Sequence, residues 1–108
     1  MIKENKEQIA RIKQMERHLV SASAAIKRLS VALDKYLTVQ EAIASLNDYY
    51  GSDTWKQDFA DDEAGLLPDG LKRGVLSEDG IWNLLSDYKD LNDRLQEVVD
   101  EIKSRKQS

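Results

Sequence analysis

Residues 12–36 read IKQMERHLVSASAAIKRLSVALDKY, and with Ile12 at heptad position a, the a and d sites are Ile12, Met15, Leu19, Ala22, Ile26, Leu29, Leu33 and Tyr36. Apolar side chains spaced 3,4,3,4 without a miss define a 3.5-residue period, which a helix satisfies and a strand does not. Working outward to the other end, residues 81–102, IWNLLSDYKDLNDRLQEVVDEI, repeat the spacing at Ile81, Leu84, Tyr88, Leu91, Leu95, Val98 and Ile102. At 1.5 Å per residue the two seams span about 36 Å and about 31 Å, a match that predicts an antiparallel pair. Fifteen seam side chains do not offset the backbone entropy of ordering two such helices. Either the intervening chain folds onto the pair or a second chain covers it. Leu85 and Val99 widen the last stripe, and the small run Ser21-Ala22-Ser23-Ala24-Ala25 thins the first helix. Both favour closure by the chain itself. The expected fold is all-α: a three-helix bundle or long antiparallel helical hairpin with a shorter middle helix and an ordered loop.

Between the seams, Thr38-Val39-Gln40-Glu41 has the side chains of a capping box and predicts a fresh helix. Gly51 is placed to end it in the left-handed conformation. Ser52 is placed to cap a short helical turn bearing Trp55 and Phe59, four residues apart on one face. Leu67-Pro68-Asp69-Gly70 carries the chemistry of a type I turn with proline at its second position. Ser77, followed by Glu78 and Asp79, offers a cap and two carboxylates to the positive end of the last helix. The expected layout is one domain over 1–108, with helices at about 3–37, about 39–50 and about 78–104, and a helical turn and loop over about 52–76.

Composition narrows what such a domain does. Of 108 residues, 41% are hydrophobic and 33% charged, which excludes a disordered chain and a membrane-embedded one. Zero cysteines and one histidine remove thiolate chemistry, disulfides and most histidine-based metal or triad chemistry. No enzyme activity, cofactor or metal is expected. No apolar run resembles a signal peptide or a membrane span, so a cytoplasmic address is expected. The net charge of −4 argues against nucleic-acid binding, but it sums opposed blocks: +4 over 1–36, −7 over 37–70 and −1 over 71–108.

The densest unusual chemistry runs from Tyr49 to Asp79: Tyr49-Tyr50, Ser52, Trp55, Gly65, Pro68 and the run Leu71-Lys72-Arg73-Gly74-Val75-Leu76-Ser77-Glu78-Asp79. Here the chain resembles a small bacterial family, a domain of unknown function. Its helical start is similar to Ile9-Ala10-Arg11-Ile12 through Met15-Glu16, so the resemblance covers roughly 9–91. Asn83 stands where that pattern has an aspartate before paired leucines. The resemblance implies a compact bacterial helical protein and assigns no reaction.

Two readings compete for this segment. In one it covers the helices, with Leu71, Val75 and Leu76 inserted, Gly70 and Gly74 allowing tight bends and Ser77 starting the helix. In the other, Lys72, Arg73 and the helix N-terminus hold an anion. Glu78 and Asp79 oppose that by placing negative charge there first. Asp58, Asp61, Asp62 and Glu63 lack the spacing of a calcium loop. They read as a solvated acidic turn with Lys72 and Arg73 for neighbours. His18, beside the first seam, reads as a surface residue. Tyr49, Tyr50, Trp55 and Trp82 read mainly as core aromatics. Trp82, at a b position off the seam, is the exception: it lies under the loop or faces a partner.

The candidate binding residues are therefore Tyr49, Tyr50, Trp55, Leu71, Lys72, Arg73, Gly74, Glu78, Asp79 and Trp82. They point to a non-enzymatic interaction or structural module with a protein partner. The alternative is an acidic mimic of nucleic acid that inhibits a nucleic-acid-handling enzyme through the −7 middle. A homodimer is also open, because a second copy satisfies a clean heptad equally well.

Overall fold

A computed structural model describes residues 5–106. The described chain is all-α: α1 is Lys6–Thr38, α2 is Gln40–Tyr50, α3 is Asp53–Glu63 and α4 is Gly80–Lys106, with a single 3-10 turn at Gly74–Leu76. The sequence expectation of helix from about residue 3 begins outside the described residues. The chain divides into two compact units, Met1–Gln40 and Glu41–Ser108. No helix among the described residues is long and apolar enough to cross a membrane.

The first unit is α1. Asn5 caps it, its side-chain oxygen accepting from the Gln8 N–H at 3.0 Å. None of its described residues is buried, and taken by itself the unit is one helix whose heptad stripe has no partner within it. The helix ends at two β-branched residues. Thr38 does not cap α2, although its sequence context predicts that it does. Its hydroxyl donates back to the Asp34 carbonyl at 2.9 Å, the bond a helical threonine makes when no free N–H competes for its oxygen. The Gln40 amide donates to the Tyr36 carbonyl at 2.9 Å, satisfying another carbonyl at the helix end.

The second unit holds the buried residues of the described chain, Ile43 on α2, Leu76 on the 3-10 turn and Ile81 on α4. Ile81, at 2% exposure, is the most enclosed. Gly51 does not adopt the left-handed conformation expected of it; among the described residues that belongs to Gly65, with φ 72°. α3 ends in a Schellman motif, the Gly65 N–H donating to Asp62 O at 3.0 Å and the Leu66 N–H to Asp61 O at 2.9 Å. α2 has no room for such an ending. The Ser52 N–H already closes onto Tyr49 O at 3.0 Å to begin the corner into α3.

The proline turn is displaced by one residue. Its closing bond runs from the Leu71 N–H to Pro68 O at 3.2 Å, so proline opens the turn and Asp69 and Gly70 form its centre. Gly70 and Gly74, expected to serve tight bends, have open space around them and no positive φ. The close approach lies instead at Gly80, where a Cβ would stand 2.4 Å from the Gly74 carbonyl oxygen and 2.8 Å from Ser77 Oγ. Ser77 Oγ donates to that carbonyl at 2.8 Å and accepts from the Gly80 N–H at 3.0 Å. One hydroxyl thus fastens the 3-10 turn to the first residue of α4, and any side chain at Gly80 would wedge them apart. Gly80→Ala should therefore lower unfolding stability by about 1–3 kcal/mol, because backbone must move. Gly70→Ala should be neutral or stabilising by up to about 1 kcal/mol; chemical denaturation of both variants beside wild type measures the contrast.

Candidate functional site

Two non-helical residues separate α2 from α3, and the corner they make sets the aromatic geometry. Tyr49 O accepts the Ser52 hydroxyl at 2.6 Å, and Ser52 Oγ accepts the Trp55 N–H at 3.2 Å, so Ser52 caps α3 as its sequence position predicts. Folded this way, the corner brings the end of α2 against the face of α3. The Tyr50 and Trp55 rings meet edge to face at 5.0 Å and 67°, and Trp55 stacks on Phe59 at 5.2 Å and 24°. The Trp55 indole N–H donates to the Val75 carbonyl at 2.9 Å, which joins the aromatic corner to the 3-10 turn. Arg73 adds a second tie, its guanidinium donating to Asp62 at 2.6 Å across a half-buried pair.

The Tyr49 hydroxyl donates to the Asp58 carboxylate at 2.6 Å. That hydrogen bond to the neutral phenol, with burial and the carboxylate's charge adding to it, pushes the Tyr49 hydroxyl up from 10 to about 12.

Two open grooves flank this frame within the second unit. One, of about 320 Å³, is lined by the apolar Leu46, Val75, Ile81 and Leu84 together with Lys72, Gly74 and Gly80. The other, of about 440 Å³, lies between Asn47 and Tyr50 of α2 and Trp82, Leu85, Ser86 and Lys89 of α4. Trp82 is 58% exposed there, a large aromatic surface left in water.

Among the sequence candidates, Tyr50 and Trp82 thus come together on one groove, and Lys72 and Gly74 on the other. Trp55 is the hub between corner and turn, Tyr49 is held by Asp58, and Arg73 is held by Asp62. Leu71, Glu78 and Asp79 line neither groove and are exposed. The acidic turn is engaged locally: Asp58 takes Tyr49, Asp61 takes the Gln57 amide at 2.8 Å and Asp62 takes Arg73. Among the described residues no group of three His, Cys, Asp or Glu side chains stands together to hold a metal ion. Sequence reasoning missed Asn47, Leu85, Ser86 and Lys89. Their signal is present: 82, 85, 86 and 89 share a helical face, and 47 lies one turn before 50.

The family model described as a domain of unknown function (DUF4298) matches residues 12–100. No curated protein matches the chain, and no solved structure does.

The two tryptophans should respond differently to truncation. Trp55→Ala, which removes the half-buried ring packed on Tyr50 and Phe59 and its tie to Val75, should cost about 2 kcal/mol of unfolding stability. Trp82→Ala should cost less than about 1 kcal/mol; equilibrium denaturation followed by circular dichroism distinguishes them. Tyr49 gives a pH test. Its hydroxyl is raised on folding, so its contribution is complete below pH 10 and is lost as pH climbs from 10 to about 12. Tyr49→Phe should cost about 1 kcal/mol at neutral pH, and denaturation curves should show that deficit closing across the same alkaline window.

Proposed function

The chain belongs to the family of domains of unknown function DUF4298, and for this member we propose a non-enzymatic role: a helical interaction module that docks a protein partner on the Tyr50–Trp82 face of α2 and α4. The observation that carries this reading is the 58% exposure of Trp82 on a groove it shares with a second aromatic ring. Tryptophan and tyrosine in a shallow apolar depression with a polar margin form the usual anchor of a protein interface. Asn47, Ser86 and Lys89 provide that margin. The ring opposite is not mobile surface, because Tyr50 packs edge to face on Trp55, itself bonded to Val75. A preorganised aromatic loses little conformational entropy on binding.

Support for a non-catalytic role comes from the same lining. The groove carries one cation, an amide, an indole and the hydroxyls of Tyr50 and Ser86, without a carboxylate or imidazole to act as base on either. An acidic mimic of nucleic acid draws less support, since Asp58, Asp61 and Asp62 each spend an oxygen on a neighbour of the same chain. A cytoplasmic address belongs to the proposal and fits a chain with no cysteine to oxidise.

The test is a photo-crosslinking residue at position 82 in living cells. The expected outcome is one discrete protein adduct, lost when Tyr50→Ala or Lys89→Glu is added. A diffuse pattern that those substitutions leave unchanged would overturn the reading.

A further inference from the structure

The seam of α1 is an apolar stripe in search of a cover. Six of its seven large residues, Ile12, Met15, Leu19, Ile26, Leu29 and Leu33, are between 38% and 70% exposed, and Tyr36 is half-buried. A solvated helix of 33 residues gains nothing from an unbroken 3.5-residue period; a partner helix does. We propose that this partner is the α1 of a second copy of the chain, paired parallel and in register as a two-stranded coiled coil. The inference uses α1 alone and is independent of the Tyr50–Trp82 face.

Three features select this occupant. Extent is the first: six large side chains, five of them more than half exposed, run along about 32 Å of helix, the continuous apolar length a two-stranded interface needs. Charge placement is the second. In this heptad Lys13, Arg17, Lys27, Arg28 and Lys35 fall at b, f, b, c and c, all pointing away from a partner helix. The net positive charge of α1 therefore does not oppose its own pairing across the seam. The charges left on the flanks are Arg11 at g and Glu16 at e, five residues apart. That is the spacing at which g of one helix meets e of its parallel partner, so each copy's Arg11 faces the other's Glu16. Shape is the third. Of the four a sites two are β-branched, Ile12 and Ile26, beside Leu19 and Leu33, and no d site is β-branched, which leans toward two strands and away from the Ile-at-d pattern of higher assemblies. At the one thin layer, Ala22, the flanking Ser23 and Ala25 are also small, which lets the two backbones draw together. An antiparallel pairing in which Ile12 meets Tyr36 sets Arg11 opposite Val39 and Glu16 opposite Ser30, leaving both charges without a partner.

The absence of native cysteine makes the arrangement directly readable. Sedimentation of the full chain should give a dimer. Ile26→Asp, a change at an exposed position of the single chain, should keep the helical circular dichroism and weaken dimerisation roughly 100-fold or more by placing two carboxylates in one apolar layer. Ala22→Cys, at a d site facing its own copy, should form an intermolecular disulfide under mild oxidation, while Val31→Cys at the outward f site should not. A chain that stays monomeric at high micromolar concentration overturns the proposal, as does a dimer indifferent to Ile26→Asp. A dimer that Ile26→Asp dissolves but Ala22→Cys does not link overturns the parallel register. None of these results bears on adducts at Trp82, so the two surfaces stand or fall separately.

Discussion

The loop of the second unit is tied to α3 above all through Trp55, whose indole donates to the Val75 carbonyl at 2.9 Å. Between Glu63 and Gly80 the chain has a single 3-10 turn and otherwise no regular structure to hold it. Such a stretch keeps one conformation only if side chains satisfy its backbone. Trp55 does so from a ring already fixed by Tyr50 and Phe59, and Arg73 to Asp62 supplies a second point between the same segments. With Val75 held, Leu76 is buried, and Ser77 can bind the Gly74 carbonyl and the start of α4 together. The start of α4 is where Ile81 is buried and Trp82 exposed. Core and candidate surface are thus adjacent residues, one facing in and the next facing out.

The helical fold class was legible because it rests on periodicity, which sums over many residues. The α3 cap was legible because Ser52 has one productive role at a corner of two residues. Expectations failed where a residue had two local options of similar energy. Thr38 can bond forward to a free N–H or back to a carbonyl, and it bonds back to Asp34. Gly51 and Gly65 both follow helices, but only Gly65 is followed by chain free to complete the Schellman bonds. Proline tolerates more than one position in a turn, and the closing bond to Pro68 O selects the register.

The candidate surface was half legible. Trp82 stood out because it sits off the seam, and the structure leaves it exposed beside Tyr50. Its companions Asn47, Ser86 and Lys89 are ordinary helix-surface residues, given meaning only by the approach of α2 to α4. Lys72 and Arg73 show the converse. Adjacent in sequence and alike in charge, they diverge in role, Arg73 bound to Asp62 and Lys72 lining a groove. The block charges likewise changed meaning. The −7 of residues 37–70 looked like a field directed at solvent, yet part of it is held by Tyr49, Gln57 and Arg73.

The two tryptophans also make the molecule its own optical instrument. One indole is hydrogen-bonded and stacked in the corner, and the other stands 58% exposed on α4. Emission from the first reports the integrity of the loop, whereas the second emits from water and changes colour when its surface is covered. Loosening within the unit and occupation from outside therefore write separate signals in the same spectrum, with no label attached to the chain.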